Sequence, residues 1–279
     1  MEKSHKIDAH QHFWKYDSQK HAWIDDSMAV LKRDYLPEDL EPILKKNQID
    51  GCVAVQADQS DAETRFLLEL SRKHSFIKGV VGWVDLKAKD LEDQLGEYSK
   101  YSQIKGFRHV LQDEADPEFI LGDDFFNGLG QLSKYGFTYD ILVFPKQLDA
   151  AVKAVRKLPH QKFVLDHLAK PQIGRDDSGL WKKGIKDLAQ NDNTYCKLSG
   201  MVTETKWKAW KYGDFVPYMD YILENFGSKR LMFGSDWPVC NLSGEYNEVL
   251  GIVNQYVTSL SETEQKAILG NNAIEFYQL

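Results

Sequence analysis

The amino-acid sequence predicts a single (β/α)8 barrel, and two observations carry this prediction. Eight short apolar runs alternate with longer segments of helical pattern, the order expected for a parallel sheet with right-handed crossovers. The runs are rich in Val, Ile, Phe and Tyr, and most begin almost continuously apolar, as strands buried on both faces do. They occupy residues 6–13, 50–57, 77–86, 104–112, 137–144, 162–169, 194–201 and 230–237.

The chain length agrees with eight such units in one domain. Eight units of about 35 residues account for the 279 residues, and barrels of this class are typically about 250 residues long. A doubly wound nucleotide fold would need a glycine-rich turn after the first strand. The first run ends instead in HQHFW, and no GxGxxG or P-loop pattern occurs anywhere. We therefore predict one barrel domain over residues 1–279.

The segments between the runs carry signals for helix ends as well as helical spacing. Pro37 suits the first turn of a short helix. Ser60 and Glu63 form a capping-box pattern that predicts a helix through about His74. Ser261 begins a second capping box, which predicts a helix near the end of the sequence. Further helices are predicted over residues 123–135, 146–158, 214–226 and 245–259.

Composition excludes several classes of function. The chain has 35 Lys and Arg against 42 Asp and Glu, a net charge of -7, so nucleic acid is not an expected partner. No run approaches the roughly 18–20 apolar residues of a membrane span, and the first residues lack the apolar stretch of a signal peptide. Three distant cysteines without a CxxC pair indicate a reducing compartment. We predict a cytoplasmic protein that acts on a small molecule. The sequence leaves open whether the protein forms a homo-oligomer.

Titratable side chains gather where the predicted strands end, which is where the active site of this fold lies. His10 and His12 are two positions apart in the first run, so both side chains project from one face. Together with His167 of the sixth run and Asp236 of the eighth, they could hold one divalent metal. Two hydrogen-bonded histidines without a metal would give the same HxH pattern, so both interpretations stay open.

Asp236, His167 and His12 are also the candidates for catalysis. The eighth strand neighbours the first in a closed barrel, so Asp236 can meet the histidines. A carboxylate at this place can take a proton from water and later deliver it to a leaving group. The alternatives are an Asx turn before Pro238 for Asp236, and a core histidine bonded to Asp166 for His167.

The other strand ends supply candidates for substrate binding. Only one of Arg108 and His109 can face inward in a regular strand, where it would bind an anionic or hydroxyl-rich substrate. A surface ion pair is an equal alternative for Arg108. Aromatic walls are common in sugar sites, but core packing is the favoured alternative for Trp83. The candidates are Trp14, Gln56, Trp83, Arg108, His109 and Asp140.

Five segments that span nearly the whole chain form a distinctive set. They are DAHQHFW (8–14), GFRHVLQDE (106–114), FVLDHLAKP (163–171), YCKLSGMVTE (195–204) and RLMFGSDWPV (230–239). In this order they resemble the amidohydrolase superfamily, and more narrowly its branch of sugar lactonases. That branch includes L-fuconolactone and L-rhamnonolactone hydrolases, and the related 2-pyrone-4,6-dicarboxylate lactonases share the general pattern.

The resemblance implies a (β/α)8 barrel that opens a cyclic ester, with His10, His12, His167 and Asp236 at the centre of its site. In the superfamily the final Asp handles the water proton and the histidines of the first strand usually hold a metal. The two-metal pattern is absent, because the fifth run offers Asp140 instead of His. The fourth run has no Lys at the place that would form a carbamate bridge, since Lys105 lies earlier. The resemblance therefore implies either one divalent metal, with zinc favoured, or a metal-independent lactonase.

The mechanism implied by the resemblance begins with Asp236 deprotonating a water that attacks the lactone carbonyl. His167, with His12 or a bound metal, would stabilise the oxyanion. The substrate would be an aldonolactone such as L-fuconolactone. The nearest rival is another amidohydrolase activity, such as decarboxylation of an aromatic acid or hydrolysis of another lactone or amide. A non-catalytic sugar-binding barrel is a third reading, and the sequence does not fix the sugar or its ring size.

Overall fold

Eight parallel strands in sequence order form the centre of the protein, in a computed structural model that describes residues 5–174 and 179–279. Each strand pairs with the next one along the chain. The strands are β1 (Ile7–Gln11), β2 (Gly51–Val55), β3 (Ile77–Gly82), β4 (Ile104–His109), β5 (Thr138–Ile141), β6 (Phe163–Leu165), β7 (Thr194–Leu198) and β8 (Leu231–Phe233). The predicted (β/α)8 barrel is confirmed, while a single domain over residues 1–279 stays a prediction.

The first and last strands meet just beyond the end of β8, where backbone hydrogen bonds bring the barrel close to closure. Asp236 donates its backbone N–H to the carbonyl of His10 at 2.8 Å, and His12 donates to the carbonyl of Trp237 at 2.7 Å. Gln11 and Trp237 also form a parallel bridge. The site candidates of the first and last predicted strands therefore lie side by side.

Helices follow the strands, and every predicted helix is found within a few residues of its expected place. Ser261 and Glu264 form the reciprocal capping box that the sequence predicts. Ser60 accepts the N–H of Glu63 at 3.2 Å, but the Glu63 carboxylate binds the N–H of Ala57 at 3.1 Å instead of closing the box. The described residues contain α1 (Pro37–Lys46), α2 (Asp61–Lys73), α3 (Leu91–Tyr98), α4 (Asp123–Gln131), α5 (Leu148–Lys157), α6 (Gly179–Ala189), α7 (Tyr212–Phe226), α8 (Tyr246–Val257), α9 (Glu262–Lys266) and α10 (Asn272–Tyr277).

The structure differs from the predicted elements at two helices and at several strand ends. Helices α3 and α6 fall in stretches for which the sequence analysis named no element. The predicted strands are longer than the observed ones, because residues at their carboxyl ends, both polar and apolar, belong to loops. The difference is largest in the sixth and eighth strands, which end at Leu165 and Phe233. After the sixth strand, residues 166–169 form a turn and not a strand.

The interior of the barrel is polar where it approaches the carboxyl ends of the strands. Asp8, His10, Asp140, Asp166 and Lys197 have no exposed surface. Apolar side chains fill the space between the strands and the outer helices. No helix within the described part of the chain is both long and apolar enough to cross a membrane. The polar interior therefore marks the end of the barrel where chemistry can take place.

Helix α4 packs closely against the segment that follows β3, and Gly128 makes this approach feasible. A Cβ atom at Gly128 would lie 1.8 Å from the carbonyl oxygen of Leu86. We expect Gly128→Ala to lower the free energy of unfolding by about 1–3 kcal/mol, because backbone must move to relieve the overlap. In the control Gly96→Ala the nearest atom is 4.0 Å away, and a gain of about 0.5–1 kcal/mol is expected. Equal urea midpoints for both variants would contradict the prediction.

Candidate active site

A cavity of about 500 Å³ opens at the carboxyl ends of the strands, and half of the predicted site residues line it. Those residues are His12, Trp14, Arg108, His167 and Asp236. The other five predicted residues do not line this cavity. They are His10, Gln56, Trp83, His109 and Asp140. Lys170 and Glu204, which the sequence did not predict as site residues, contribute charged groups to the same wall.

His10 and His12 face the same point, as their spacing predicts, although His12 lies just past the end of β1. Their Nε2 atoms are 3.2 Å apart. Nδ1 of His12 is 2.8 Å from the carbonyl oxygen of Val55, which can only accept a hydrogen bond. Neutral His12 therefore carries its proton on Nδ1, so Nε2 presents a lone pair to the centre of the site.

Asp236 faces the histidines from the opposite edge of the barrel seam. Its Oδ1 atom lies 3.3 Å from Nε2 of His12 and 3.9 Å from Nε2 of both His10 and His167. Burial by itself would raise the pKa of Asp236, but the adjacent imidazoles of His167 and His12 outweigh it and lower that pKa. Asp236 therefore stands ionised in the centre of three imidazoles. Its φ of 58° lies in the left-handed region, which Asp tolerates better than most residues.

A left-handed turn of four residues places His167 in the cavity wall. The φ values of residues 167–170 lie between 50° and 58°, a conformation that L-residues adopt only when surrounding structure holds them there. Gly200 provides the space for the imidazole of His167, since a Cβ at that position would lie 2.5 Å from Nδ1 of His167. That nitrogen is 2.8 Å from the hydroxyl oxygen of Ser199. Burial lowers the pKa of His167 to about 4, so the imidazole is neutral at pH 7.

The nitrogen and oxygen atoms at the centre suit a single divalent cation. One atom from each of His10, His12 and Asp236 lies within 4.8 Å of the others, and all three residues are buried. His10, Asp166 and His167 form a second group with the same property. Imidazole nitrogen with carboxylate oxygen is a donor set that binds divalent transition metals. Both groups share His10, so the candidate ligands lie close together.

A buried network of charges lies beneath this centre and includes Asp140. Lys197 of β7 places its Nζ atom 2.5 Å from Asp140, 3.0 Å from Asp166 and 3.1 Å from Nδ1 of His10. Asp140 also accepts a hydrogen bond from the hydroxyl of Tyr277 in α10 at 2.9 Å. Burial raises the pKa of Asp140 to about 6 despite the opposing effect of Lys197. Asp140 therefore supports the floor of the cavity and does not line it.

Arg108 joins the network to the cavity wall. Its guanidinium binds Asp166 at 3.0 Å and the carbonyl of Gln56 at 2.5 Å, and Nε2 of His10 lies 3.3 Å away. Only 5% of Arg108 is exposed, so its ion pair is buried and the surface alternative is wrong. The amide of Gln56 donates in turn to the carbonyl of Arg108 at 3.2 Å. Each side chain thus holds the other's backbone in place.

His109 and Trp83 form a separate cluster outside the cavity lining. Nε2 of His109 lies 2.7 Å from Glu114, its ring stacks on Phe119 at 5.3 Å, and Trp83 donates to its Nδ1 at 3.3 Å. Arg108 faces inward and His109 faces this cluster, as alternation along β4 requires. Trp83 is half-buried and lies outside the buried hydrophobic core, so the structure does not bear out the core alternative that the sequence favoured for it.

Two L-fucono-1,5-lactonases are similar to this chain over nearly its whole length. An L-fucono-1,5-lactonase of Burkholderia multivorans (strain ATCC 17616 / 249) is 41% identical over 286 residues, which cover 98% of this chain and 96% of that protein. An L-fucono-1,5-lactonase of Burkholderia ambifaria is 34% identical over 281 residues, with the same coverage. Both alignments extend over the strands that supply the site.

Solved structures are similar to this chain over the same length. Two crystal structures of an amidohydrolase from Burkholderia multivorans, one with bound HEPES and one with bound zinc, match with a TM-score of 0.95. Each is 40% identical, and the match covers 99% of both chains. A family model described as amidohydrolase matches residues 7–279. With β1 to β8 and the converging histidines all inside that match, the chain belongs to the amidohydrolase family.

Proposed function

We propose that this protein hydrolyses a sugar lactone of the aldono-1,5-lactone class, with L-fucono-1,5-lactone as the first candidate substrate. The observation that carries the proposal is the ionised Asp236 facing three imidazoles at the base of a 500 Å³ cavity. A carboxylate that can accept a proton from water is the group an ester hydrolase needs. The two L-fucono-1,5-lactonases at 41% and 34% identity support the substrate class.

In the proposed reaction Asp236 takes a proton from a water molecule, and the resulting hydroxide oxygen bonds to the lactone carbonyl carbon. The carbonyl oxygen becomes an oxyanion, which N–H donors in the wall stabilise. The bond from that carbon to the ring oxygen then breaks, and Asp236 returns its proton to the departing oxygen. The product is an open hydroxy acid, which is a carboxylate at neutral pH.

The tautomers of the histidines decide which of them can donate. Neutral His12 has its proton on Nδ1, bound to Val55, so its Nε2 atom accepts and orients the water beside Asp236. For His167 the hydroxyl of Ser199 can donate to Nδ1, which leaves an N–H on Nε2 that faces the cavity. His167 is therefore the proposed oxyanion donor. Arg108 is a further donor in the wall, held at a fixed position by its buried ion pair.

The predicted substrate-binding residues lie at different depths in the barrel, so we assign them different roles. Trp14 and Arg108 contact the ring directly, because both line the cavity. Gln56 and Asp140 do not line the cavity. They act indirectly, because Gln56 holds Arg108 in position and Asp140 holds Lys197. A bound zinc would be held by His10, His12, His167 and Asp236, and would supply Lewis-acid polarisation of the carbonyl. A cytoplasmic location stays a prediction from the sequence.

A panel of lactones tests the proposal. We expect acid release from L-fucono-1,5-lactone and related aldonolactones, followed by a pH indicator, and no CO2 release from hydroxybenzoic acids. Turnover of an aromatic acid without lactone hydrolysis would contradict the proposal, and calorimetric sugar binding without turnover would favour the non-catalytic barrel.

The same assay distinguishes a zinc-dependent lactonase from a metal-independent one. The protein is stripped with dipicolinate, its metal content is measured, and zinc is added back to half of the sample. Lost activity that zinc restores is expected if the cation polarises the carbonyl. Full activity in metal-free protein would exclude the zinc version and assign the electrophilic role to His167 and Arg108 alone.

A further inference from the structure

An ion pair between Lys170 and Glu204 forms part of the cavity wall, and the proposed reaction gives it no role. Lys170 ends the left-handed turn after β6, and Glu204 ends the 3-10 turn Val202–Glu204 after β7. Their Nζ and Oε1 atoms are 3.6 Å apart. The side chains are 20% and 18% exposed, so a molecule in the cavity can reach both.

Both members of the pair come from backbone that is held in place. The N–H of Lys170 donates to the carbonyl of His167 at 2.7 Å, so the turn that places His167 also places Lys170. The N–H of Glu204 donates to the carbonyl of Met201 at 3.2 Å. Trp207, another residue of the cavity wall, donates from its indole to the carbonyl of Thr203 at 3.1 Å. The pair is therefore presented to the cavity at a defined position.

The separation of the two charges leaves hydrogen-bonding capacity unused. A direct ammonium–carboxylate hydrogen bond is about 2.7–2.9 Å long, so the 3.6 Å contact is an ion pair without a tight hydrogen bond. Burial raises the pKa of Glu204, which means that its carboxylate is short of solvation. A hydroxyl group both donates and accepts. It can accept from the ammonium and donate to the carboxylate at once.

We propose that Lys170 and Glu204 recognise a hydroxyl group, or two adjacent ones, on the lactone ring, with Lys170 donating and Glu204 accepting. This inference rests on the proposed function, and it assigns the pair to substrate selection and not to the chemical step. Sites that hydrogen-bond a substrate hydroxyl discriminate strongly against analogues without it, because their polar groups are then left unpaired. The pair would therefore separate sugar lactones from plain cyclic esters.

Two substrates with the same six-membered ring test the inference: L-fucono-1,5-lactone and unsubstituted δ-valerolactone. We expect Glu204→Ala and Lys170→Met to lower kcat/KM for the sugar lactone about 10- to 100-fold, mainly through KM, with δ-valerolactone changed less than about threefold. Glu204→Gln keeps one acceptor oxygen and should recover part of the loss. Lys183→Met, which breaks an exposed pair with Asp187 on α6, is the control and should match the wild type.

Parallel losses on both substrates would overturn the inference, since a structural role or an effect on Asp236 would act on any lactone. If the wild type hydrolysed neither lactone, the proposed function would fail on its own. Calorimetric binding of L-fuconate then decides the question without turnover. Binding at least tenfold weaker in Glu204→Ala than in the wild type supports the pair as a hydroxyl site, and equal binding refutes it.

Discussion

Replacing Asp236 with Asn is expected to lower kcat for lactone hydrolysis by about 10²- to 10⁴-fold, the range that a general base supplies. Asn has the shape of Asp but cannot accept the proton of the attacking water. It also tolerates the left-handed φ of 58° at this position, so the turn should survive. Steady-state rates with L-fucono-1,5-lactone, together with the melting temperature of the variant, measure the effect.

The matched control for this substitution is Asp124→Asn, the same chemical change on an exposed residue in the first turn of α4. It should leave kcat within about twofold of the wild type, because Asp124 does not line the cavity. If Asp236→Asn kept kcat within tenfold of the wild type while folded, Asp236 would not be the base.

The substitution Lys197→Met is expected to cost about 3–5 kcal/mol in the free energy of unfolding. Methionine fills similar space, but it leaves Asp140 and Asp166 facing each other without the ammonium between them. All three side chains have no exposed surface, so water cannot take over the role of Lys197. Urea unfolding followed by far-UV circular dichroism gives the value.

A double variant shows whether charge is the cause. Adding Asp140→Asn to Lys197→Met removes the buried carboxylate that has lost its ammonium partner, so part of the lost stability should return. A loss below about 1 kcal/mol in Lys197→Met would contradict the prediction. So would a double variant whose losses simply add, because that result would assign the effect to packing alone.

The repeated pattern of apolar runs predicts the architecture because strands buried on both faces carry a strong signal in one sequence. The two missed helices carried a usable signal as well. Leu91, Leu95 and Tyr98 in α3 are spaced at four and three residues, and all are buried. The left-handed turn at 167–170 had no such signal. Nothing local marks four L-residues at positive φ, since only the surrounding structure stabilises them.

The sequence predicts which strand ends carry site residues, but it does not predict how deep in the barrel each side chain lies. His12, Arg108 and Asp236 reach the cavity, yet Asp140 sits below it. Asp140 is the direct neighbour of Arg108 in the β4–β5 register, so position along the strand does not separate the two. Side-chain length does, because the guanidinium extends upward and the short carboxylate stays at the level of Lys197. Lys170 and Glu204 lie in loops, which periodicity cannot place.

The seam between β1 and β8 makes the active site a long-range contact along the chain. The carboxylate of Asp8 accepts the N–H of Ser235 at 2.9 Å, beside the histidines, from a residue 227 positions away. Contacts between such distant segments form slowly, because chain entropy opposes them. A partly folded barrel can hold its helices and most of its strands while Asp236 is still far from His10 and His12. During refolding, enzymatic activity therefore reports the joining of the two edges, and it trails the return of secondary structure.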